Sequence, residues 1–268
     1  MTTPDSDTRR ANAQFPPLLT DRSTGRGVSL DLRRIGHLVV VGEPGSGRTS
    51  ALSLAAANTV AGGATAVVCS AGGAGLEHLA GLHHLSLHQG LGQSIEGITA
   101  SWHEMGTRYE RVFDEDHRPV QTTLADLRVV VVDDLDLVQD AADTGDPAAS
   151  AAVRHAQDIL RMGRALNMHL VASVRPTSNV AVPLFFDTFT PVVLEPMAVN
   201  TPSIWLPRPS RRRPRLPIVY TGPGNRARTS HQPGWAKVVL DGEVRDVQVR
   251  YLPPDLARAL VEEPHPAT

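Results

Sequence analysis

One stretch near the start of the chain decides the fold: Val39-Val40-Val41-Gly42-Glu43-Pro44-Gly45-Ser46-Gly47-Arg48-Thr49-Ser50. It follows an apolar run over residues 35–41 and opens an alanine-rich segment that predicts a helix over Thr49–Ala61. A glycine-rich turn between a strand and a helix is the setting of the phosphate-binding loop, G-x-x-x-x-G-K-[ST]. Its backbone N–H groups surround phosphate oxygens, and the helix N-terminus adds partial positive charge. The predicted nucleotide-binding residues are therefore Gly42, Glu43, Pro44, Gly45, Ser46, Gly47, Arg48, Thr49 and Ser50.

Position 48 departs from that pattern. Arg48 stands where a lysine would reach the β- and γ-phosphates, and a wide planar guanidinium does not replace a compact ammonium at a tight site. Composition offers another explanation, because Lys237 is the single lysine among the 26 basic residues of the chain. Weakened hydrolysis and a tolerated substitution both stay open. The first is favoured, since catalysis normally protects this lysine whatever the background composition.

Bulk properties bound the class of protein. With 268 residues, 41% of them hydrophobic, the chain is long enough to bury one substantial core. The net charge of −2 gives no global attraction to nucleic acid, although a local surface for DNA stays open. The lone cysteine, Cys69, excludes an internal disulfide framework and fits a reducing compartment. No apolar run approaches a membrane span of about 20 residues, so we expect a cytoplasmic protein.

Strand and helix signals alternate along the chain, which predicts an α/β fold with a mainly parallel sheet flanked by helices. The predicted strands are His37–Val41, Ala64–Cys69, Arg128–Val132, His169–Ser173 and Pro191–Leu194. The predicted helices are Thr49–Ala61, Ser94–Phe113 and Ala148–Leu166, with a loop over Asp140–Asp146. Near the end, Trp235–Leu240 and Val244–Val249 alternate around Asp241-Gly242, which indicates a small C-terminal β-hairpin. We expect a disordered arm over 1–16, one ATPase domain over 17–252 and a tail over 253–268.

Two acids end the predicted strand that contains Val129-Val130-Val131-Val132. In nucleotide hydrolases with this loop, a carboxylate at the end of a neighbouring strand holds Mg²⁺. A second acid beside it orients and deprotonates the attacking water. Thr49 and Asp133 are therefore the predicted metal ligands, and Asp134 is the predicted catalytic base. ATP and Mg²⁺ are the predicted cofactors.

Four motifs, in this order, resemble those of the FtsK/SpoIIIE-type (HerA-like) motor ATPases, which pump double-stranded DNA. They are the segment Asp21–Leu52 with its loop, Glu104-Met105-Gly106-Thr107-Arg108-Tyr109 (the family's E-M-x-x-R-Y), Arg164–Pro176 (its R-A-x-G-I-H-L-x-x-A-T-Q-R-P, one residue shorter), and the closing stretch Gly234–Gln248. The resemblance covers about residues 21–252. The same module occurs in conjugative DNA-transfer proteins and in type VII secretion motors.

The resemblance implies a RecA/FtsK-like P-loop fold and a ring of subunits with nucleotide at each interface. It implies that Arg108 is a catalytic arginine reaching into the neighbouring subunit's site. Arg111 is the alternative, and Arg164 and Arg175 are weaker candidates. Ser173 lies where a γ-phosphate sensor stands in the family.

The departures from the family pattern gather around the γ-phosphate. Arg48 replaces lysine, Asp134 replaces the usual glutamate, and Val174 replaces a sensor glutamine. Cys69-Ser70-Ala71 takes the place of D-P-K after the second strand. Together these changes favour weakened hydrolysis.

Other clusters give weaker signals. Arg211–Arg215, with Arg226 and Arg228, is basic enough to contact phosphate, and a solvated surface loop is an equal alternative. His78, His83, His84 and His88, with Glu77, match no familiar zinc spacing. Trp102 and Trp205 are better core or interface anchors than stacking platforms for bases.

Three functions remain open on these grounds. The first is an ATP-dependent motor that forms a ring and moves double-stranded DNA in chromosome partition or conjugative transfer. The second is a catalytically weakened, ATP-binding adaptor or regulatory module of a type VII-like secretion or DNA-transfer assembly, beside a larger motor. The third is a purely structural oligomer, for which we expect no nucleotide affinity.

Overall fold

The computed structural model describes residues 19–28, 31–42, 44–113, 127–175, 189–194, 234–240 and 243–249, together with Pro253 and Asp255. Several predictions fall outside this part of the chain and stay predictions. They concern the arm at 1–16, Glu43, Trp205, the arginine-rich stretch at 211–228, the turn at 241–242 and nearly all of the tail.

One sheet runs through the described residues. In chain order its strands are β1 (Leu19–Asp21), β2 (Gly27–Val28), β3 (His37–Val41), β4 (Thr65–Ser70), β5 (Leu85–Gln89), β6 (Arg128–Asp133), β7 (Met168–Val174), β8 (Phe189–Leu194), β9 (Trp235–Leu240) and β10 (Glu243–Val249). Their order across the sheet is β2-β1-β10-β9-β8-β3-β7-β6-β4-β5. Neighbours from β8 to β5 are parallel, and neighbours from β8 to β2 are antiparallel.

Helices cover both faces of the parallel strands. They are α1 (Leu32–Ile35), α2 (Arg48–Ala61), α3 (Leu91–Phe113), α4 (Leu135–Asp143) and α5 (Pro147–Met162), with 3-10 helices at Glu77–Leu79 and Gly163–Leu166. Side chains of α2 pack on one face of the sheet, and those of α3, α4 and α5 pack on the other.

The valines of β6 show why the sheet lies in the centre of the molecule. Val129 and Val131 belong to the core on one face, whereas Val130 and Val132 belong to the core on the other. All four are fully buried. A parallel strand covered on both faces has no solvated side, so its sequence is continuously apolar instead of alternating.

The predicted α/β fold with a parallel sheet and flanking helices is confirmed, and so is the antiparallel pairing of β9 with β10. The predicted helix over Ala148–Leu166 ends earlier, because its last turn is the 3-10 helix at Gly163–Leu166. A Cβ on Gly163 would lie 2.6 Å from the carbonyl oxygen of Met168, so this turn packs tightly onto β7.

The predicted loop over Asp140–Asp146 is wrong for its first half, since α4 continues to Asp143. Two of the acids in this stretch bind other groups. Asp140 accepts a hydrogen bond from Arg175, and the Asp146 side chain caps α5 by accepting from the N–H groups of Ala148 and Ala149. Strand β5 was not predicted, because its half-buried edge position leaves it polar at alternate positions.

No helix in the described ranges is both long and apolar enough to cross a membrane.

Candidate nucleotide-binding site

The loop after β3 has the backbone of a phosphate site. Gly45 and Gly47 have φ of 80° and 104°, which only glycine adopts without strain. Helix α2 begins at Arg48 without a side-chain cap, so its first N–H groups are open to a ligand. The Ser46 hydroxyl is buried and has no hydrogen-bond partner among the described residues. An unpaired buried hydroxyl beside an uncapped helix start fits a phosphate group.

Three residues form what we call the metal side: Thr49, Asp133 and Ser173. The Thr49 hydroxyl donates to Oδ2 of Asp133 at 2.8 Å, and the Ser173 hydroxyl donates to Oδ1 at 2.5 Å. Ser173 also accepts a hydrogen bond from the backbone N–H of Asp134 at 2.8 Å, which joins the ends of β6 and β7. A hydroxyl next to an oriented carboxylate is a donor set that suits Mg²⁺, which binds proteins through few carboxylates and retains other oxygen ligands.

Four residues form what we call the arginine side: Arg48, Asp134, Asp136 and Arg175. Nη2 of Arg48 lies 2.9 Å from Oδ1 of Asp134, and Nη1 lies 4.0 Å from Oδ1 of Asp136. The Asp136 side chain is 0% exposed, and its Oδ2 accepts a hydrogen bond from Nε of Arg175. Nη2 of Arg175 reaches Asp140 on the next turn of α4, at 2.8 Å. The guanidinium of Arg48 is thus paired with Asp134 and lies near the buried carboxylate of Asp136.

Asp134 is placed by an unusual backbone. It has φ 55° and ψ 51°, a left-handed conformation that costs a residue with a Cβ about 1 kcal/mol. Its side chain does not cap α4, and turns to Arg48 instead. Burial, reinforced by the negative charge of Asp133, raises the pKa of Asp134, and Arg48 opposes that shift. Two positions that depart from the family pattern, Arg48 and Asp134, thus pair with each other.

A glycine turn lies directly over both sides of the site. A Cβ on Gly72 would lie 3.0 Å from Oδ2 of Asp134, and one on Gly75 would lie 2.9 Å from Cγ2 of Thr49. The turn continues from Cys69-Ser70-Ala71, the stretch that replaces D-P-K. Burial raises the pKa of Cys69 to about 12, so this thiol is unreactive. The altered stretch therefore brings backbone, and no charged side chain, against Asp134 and Thr49.

The first residue before the C-terminal hairpin supports the loop. The Gly234 N–H donates to the Ser46 carbonyl oxygen at 3.0 Å, and the Gly234 carbonyl accepts from the Val249 N–H at 2.7 Å. Gly234 has φ 87°, and a Cβ there would lie 2.9 Å from the Val249 carbonyl oxygen. Next in the chain, the Trp235 ring lies 3.7 Å beneath the guanidinium of Arg22.

Arg108 lies near the amino ends of the parallel strands, whereas the phosphate loop lies at their carboxyl ends. It contacts Glu104 at 3.0 Å and the Leu166 carbonyl oxygen at 3.3 Å. Glu104 also pairs with Arg128, the first residue of β6, whereas the phosphate loop follows the last residue of β3. Parallel strands place those two points at opposite edges. Arg108 therefore does not reach the loop of its own chain, and its role toward a neighbouring subunit stays a prediction.

The other candidate arginines are also placed. Arg111 is exposed near the end of α3, and Arg164 donates to the carbonyl oxygen of Arg34. Only Arg175 belongs to the site, through its contact with Asp136. Its partner Asp136 was not predicted. The signal was an acid between Leu135 and Leu137 at a position that helix α4 buries.

The remaining candidates lie away from the loop or serve packing. Nε2 of His78 is 2.6 Å from the Ser53 hydroxyl, and the rings of His83 and His84 contact each other. In the part of the chain that the structure describes, no three or more His, Cys, Asp or Glu side chains gather as metal ligands. Trp102 stacks on His155 and donates to Asp158, which agrees with its predicted role as a packing anchor.

In its fold and its loop the chain is similar to P-loop ATPase domains. No protein-family model matches the sequence, and no curated protein matches it. Solved structures do match. They include EssC (ATPases 2 and 3) from Geobacillus thermodenitrificans, with a TM-score of 0.61 and 13% identity over 94% of this chain and 45% of that one. The pCW3 conjugation coupling protein TcpA, solved with ATPγS, gives 0.65 and 16% over 93% of this chain and 74% of that one.

A third match is Thermomonospora curvata EccC (ATPases 2 and 3) in complex with a signal sequence peptide. Its TM-score is 0.59, with 15% identity over 89% of this chain and 40% of that one. The chain thus spans less than half the length of the EssC and EccC structures. These neighbours are FtsK/SpoIIIE-like P-loop ATPases, and at such low identity the likeness establishes the fold alone.

Proposed function

We propose that this chain is an ATP-binding domain with weak hydrolysis, which acts as an adaptor or regulatory subunit beside a larger motor. The observation that carries the proposal is the ion pair between Arg48 and Asp134, 2.9 Å long. This ion pair joins Arg48, which should reach the phosphates, to Asp134, which should activate water. Binding and hydrolysis then depend on different residues of one site.

Binding is supported by the loop and the metal side. Gly42 and residues 44–50 would supply the phosphate-facing backbone, and Thr49 with Asp133 would hold Mg²⁺. When bound, the ion neutralises phosphate charge and fixes the orientation of the triphosphate. The hydroxyls of Thr49 and Ser173 already orient both oxygens of Asp133. Asp133 therefore needs little rearrangement to receive the metal, which favours tight binding of nucleotide.

Weak hydrolysis is supported by the arginine side. Asp134 is one methylene shorter than glutamate, and Arg48 takes one of its oxygens. The other oxygen faces Gly72 of the overlying turn. Contacts on both oxygens work against general-base catalysis, which needs a carboxylate oxygen free to take a proton from water.

The partner is proposed from the neighbours. EccC is a type VII secretion ATPase by its description, the EssC structure contains ATPases 2 and 3, and TcpA is a conjugation coupling protein. A domain that binds nucleotide and turns it over slowly suits the regulatory part of such an assembly, in the cytoplasm. A homo-oligomeric ring is an alternative to a mixed assembly with a larger motor.

A second candidate is a motor that moves double-stranded DNA, and the position of Arg108 favours it. An arginine at the opposite edge from its own loop can complete only the site of another subunit, as a ring of motors requires. In that case Arg108 and Asp134 are the catalytic residues of each interface.

Turnover of ATP separates the two candidates. We would measure Mg²⁺-ATP affinity and hydrolysis for the wild type and for Arg48→Lys, each with and without duplex DNA. The adaptor proposal predicts tight binding, slow turnover without response to DNA, and a rise of about tenfold or more in Arg48→Lys. Asp133→Ala, purified in the same way, reports contaminating ATPase. Turnover stimulated by DNA in the wild type would establish the motor instead. Absence of any nucleotide affinity would leave the structural oligomer.

A further inference from the structure

The proposed function does not use the buried carboxylate of Asp136. One of its two oxygens, Oδ1, has no hydrogen-bond partner among the described residues. Nη1 of Arg48 and Oδ1 of Asp136 lie 4.0 Å apart. Both atoms are buried, and neither has a hydrogen-bond partner among the described residues. Leaving a buried donor or acceptor unpaired is unfavourable, and here one of each lie close together. A movement of about 1 Å would join them into a hydrogen bond.

The rest of the network leaves that position free for Arg48. Arg175 occupies the other oxygen of Asp136, Oδ2, and anchors itself at Asp140. Asp136 is therefore fixed at one oxygen and open at the other. Arg48 is at present paired through its other terminal nitrogen with Asp134. One guanidinium thus lies between two carboxylates, one in contact and one just out of reach.

The metal side gives a reason for Arg48 to change partners. Asp134 follows Asp133 directly, and the turn containing Gly72 and Gly75 covers both Asp134 and Thr49. A divalent cation at Thr49 and Asp133 would lie close to Asp134, where it attracts that carboxylate and repels the guanidinium. A triphosphate in the loop would attract Nη2 of Arg48 in turn. Both forces act against the contact of Arg48 with Asp134. The released carboxylate would then be drawn toward the cation, so it would still not be available to activate water, and the proposed weak hydrolysis is retained.

We propose that Arg48 has two positions, paired with Asp134 when the site is empty of nucleotide and with Asp136 when Mg²⁺-nucleotide is bound. Asp136 is then a positioning residue, which holds Nη1 of Arg48 so that Nη2 faces phosphate. The inference rests on the proposed nucleotide binding. It explains how the loop accommodates an arginine: the wide guanidinium needs a second, buried carboxylate that a lysine ammonium would not need.

The two aspartates can be told apart by the sign of their effects on affinity. The probe is a fluorescent, non-hydrolysable ATP analogue with Mg²⁺, titrated into the full chain. Asp136→Asn removes the partner of Arg48 in the bound state only, so affinity falls about tenfold, the contribution of one charge-assisted hydrogen bond. Asp134→Asn removes the competing partner of the empty state, so affinity rises about threefold.

A plain through-space effect gives a different result. Removing either carboxylate near a polyphosphate lowers repulsion, so both variants would bind more tightly. Asp143→Asn, on the same helix but bonded to Gln139, is the matched control and leaves affinity unchanged. Opposite signs for Asp136→Asn and Asp134→Asn support two positions. Equal signs overturn the inference while the wild type still binds, which leaves the proposed function intact. A wild type without affinity overturns both.

Asp136→Asn alone leaves the buried guanidinium of Arg48 and the partly exposed one of Arg175 around one amide, so a second variant covers the case in which it fails to fold. The charge-balanced variant Asp136→Asn with Arg175→Gln removes one charge of each sign and serves in that case. It is compared with Arg175→Gln alone, in which Asp136 still faces Arg48. The inference requires the balanced variant to bind the probe about tenfold more weakly than Arg175→Gln. Equal affinity of the two overturns it.

Discussion

The metal side and the arginine side are built from adjacent residues, yet they differ in what they contact. Thr49 and Asp133 meet through a hydroxyl and a carboxylate, at 2.8 Å. Arg48 and Asp134, each one position away, meet as an ion pair at 2.9 Å. The first contact leaves both groups able to serve a metal ion, whereas the second engages charges that phosphate and water would otherwise use. One loop can thus retain nucleotide binding while its capacity for hydrolysis is altered.

The largest effect is expected on the metal side. Asp133→Ala should lower the affinity for Mg²⁺-ATP about 100-fold, since it removes the carboxylate that two hydroxyls orient. Titration of a fluorescent nucleotide with and without Mg²⁺ measures this, and without the metal the variant and the wild type should differ little. An unchanged Mg²⁺ dependence would show that Asp133 is not the metal ligand.

Gly234 supports the loop that both sides share, so its substitution should affect them together. Gly234→Ala should lower the free energy of unfolding by about 2 kcal/mol, from the positive φ and from the contact with the Val249 carbonyl oxygen. Urea denaturation gives this value. The matched control is Gly81→Ala, which has φ 81° but open space around its Cβ, and should cost about 1 kcal/mol. Equal losses would mean that the contact with Val249 is not tight.

Ser173 joins the two sides, because its hydroxyl bonds both Asp133 and the N–H of Asp134. Ser173→Ala should weaken Mg²⁺-nucleotide binding about tenfold, the lower end for a residue that orients a metal ligand. The readout is the Mg²⁺ concentration needed for half-saturation. Ser101→Ala, which removes a buried hydroxyl within α3, is the control and should not change it. The same Mg²⁺ requirement for both variants would show that Ser173 does not orient the metal ligand.

The smallest effect concerns the far end of β3 and leaves the site itself untouched. Burial, with the nearby charges of His169 and Arg164, lowers the pKa of His37 to about 4. The unfolded chain then takes up a proton first as pH falls below about 6.5, so stability is full above that pH and declines below it. We expect a loss of about 1 kcal/mol between neutral pH and about pH 5.8.

Thermal or urea unfolding across this pH range measures the loss for His37. His37→Asn keeps an acceptor for the Leu170 N–H and should show a smaller dependence on pH. Some dependence should remain, because burial also lowers the pKa of His169. A pH profile identical to that of the wild type would show that His37 does not carry the effect.

The sequence predicted those features that depend on local pattern. The four valines of β6 and the glycine-rich sequence after β3 are patterns typical of few structures, so the fold and the position of the loop could be predicted from them. Contacts between side chains could not be predicted. The left-handed backbone of Asp134 directs its carboxylate to Arg48, and Asp136 is buried only because α4 packs against β7 and α5. Such contacts depend on how helices and strands pack against one another, and the spacing of residues along the chain does not determine that packing.

The hydrogen bond between Gly234 and Ser46 also ties a fluorescent side chain to the loop. Trp235 follows Gly234, and its indole is covered by the Arg22 guanidinium, so the surroundings of that fluorophore depend on where Gly234 is held. Any movement of the Ser46 carbonyl when the loop is filled would reach the ring through a single peptide unit, and a cation over an indole face is sensitive to small shifts. Emission from Trp235, one of the three tryptophans of the chain, would therefore be expected to follow occupancy of the loop without any added dye.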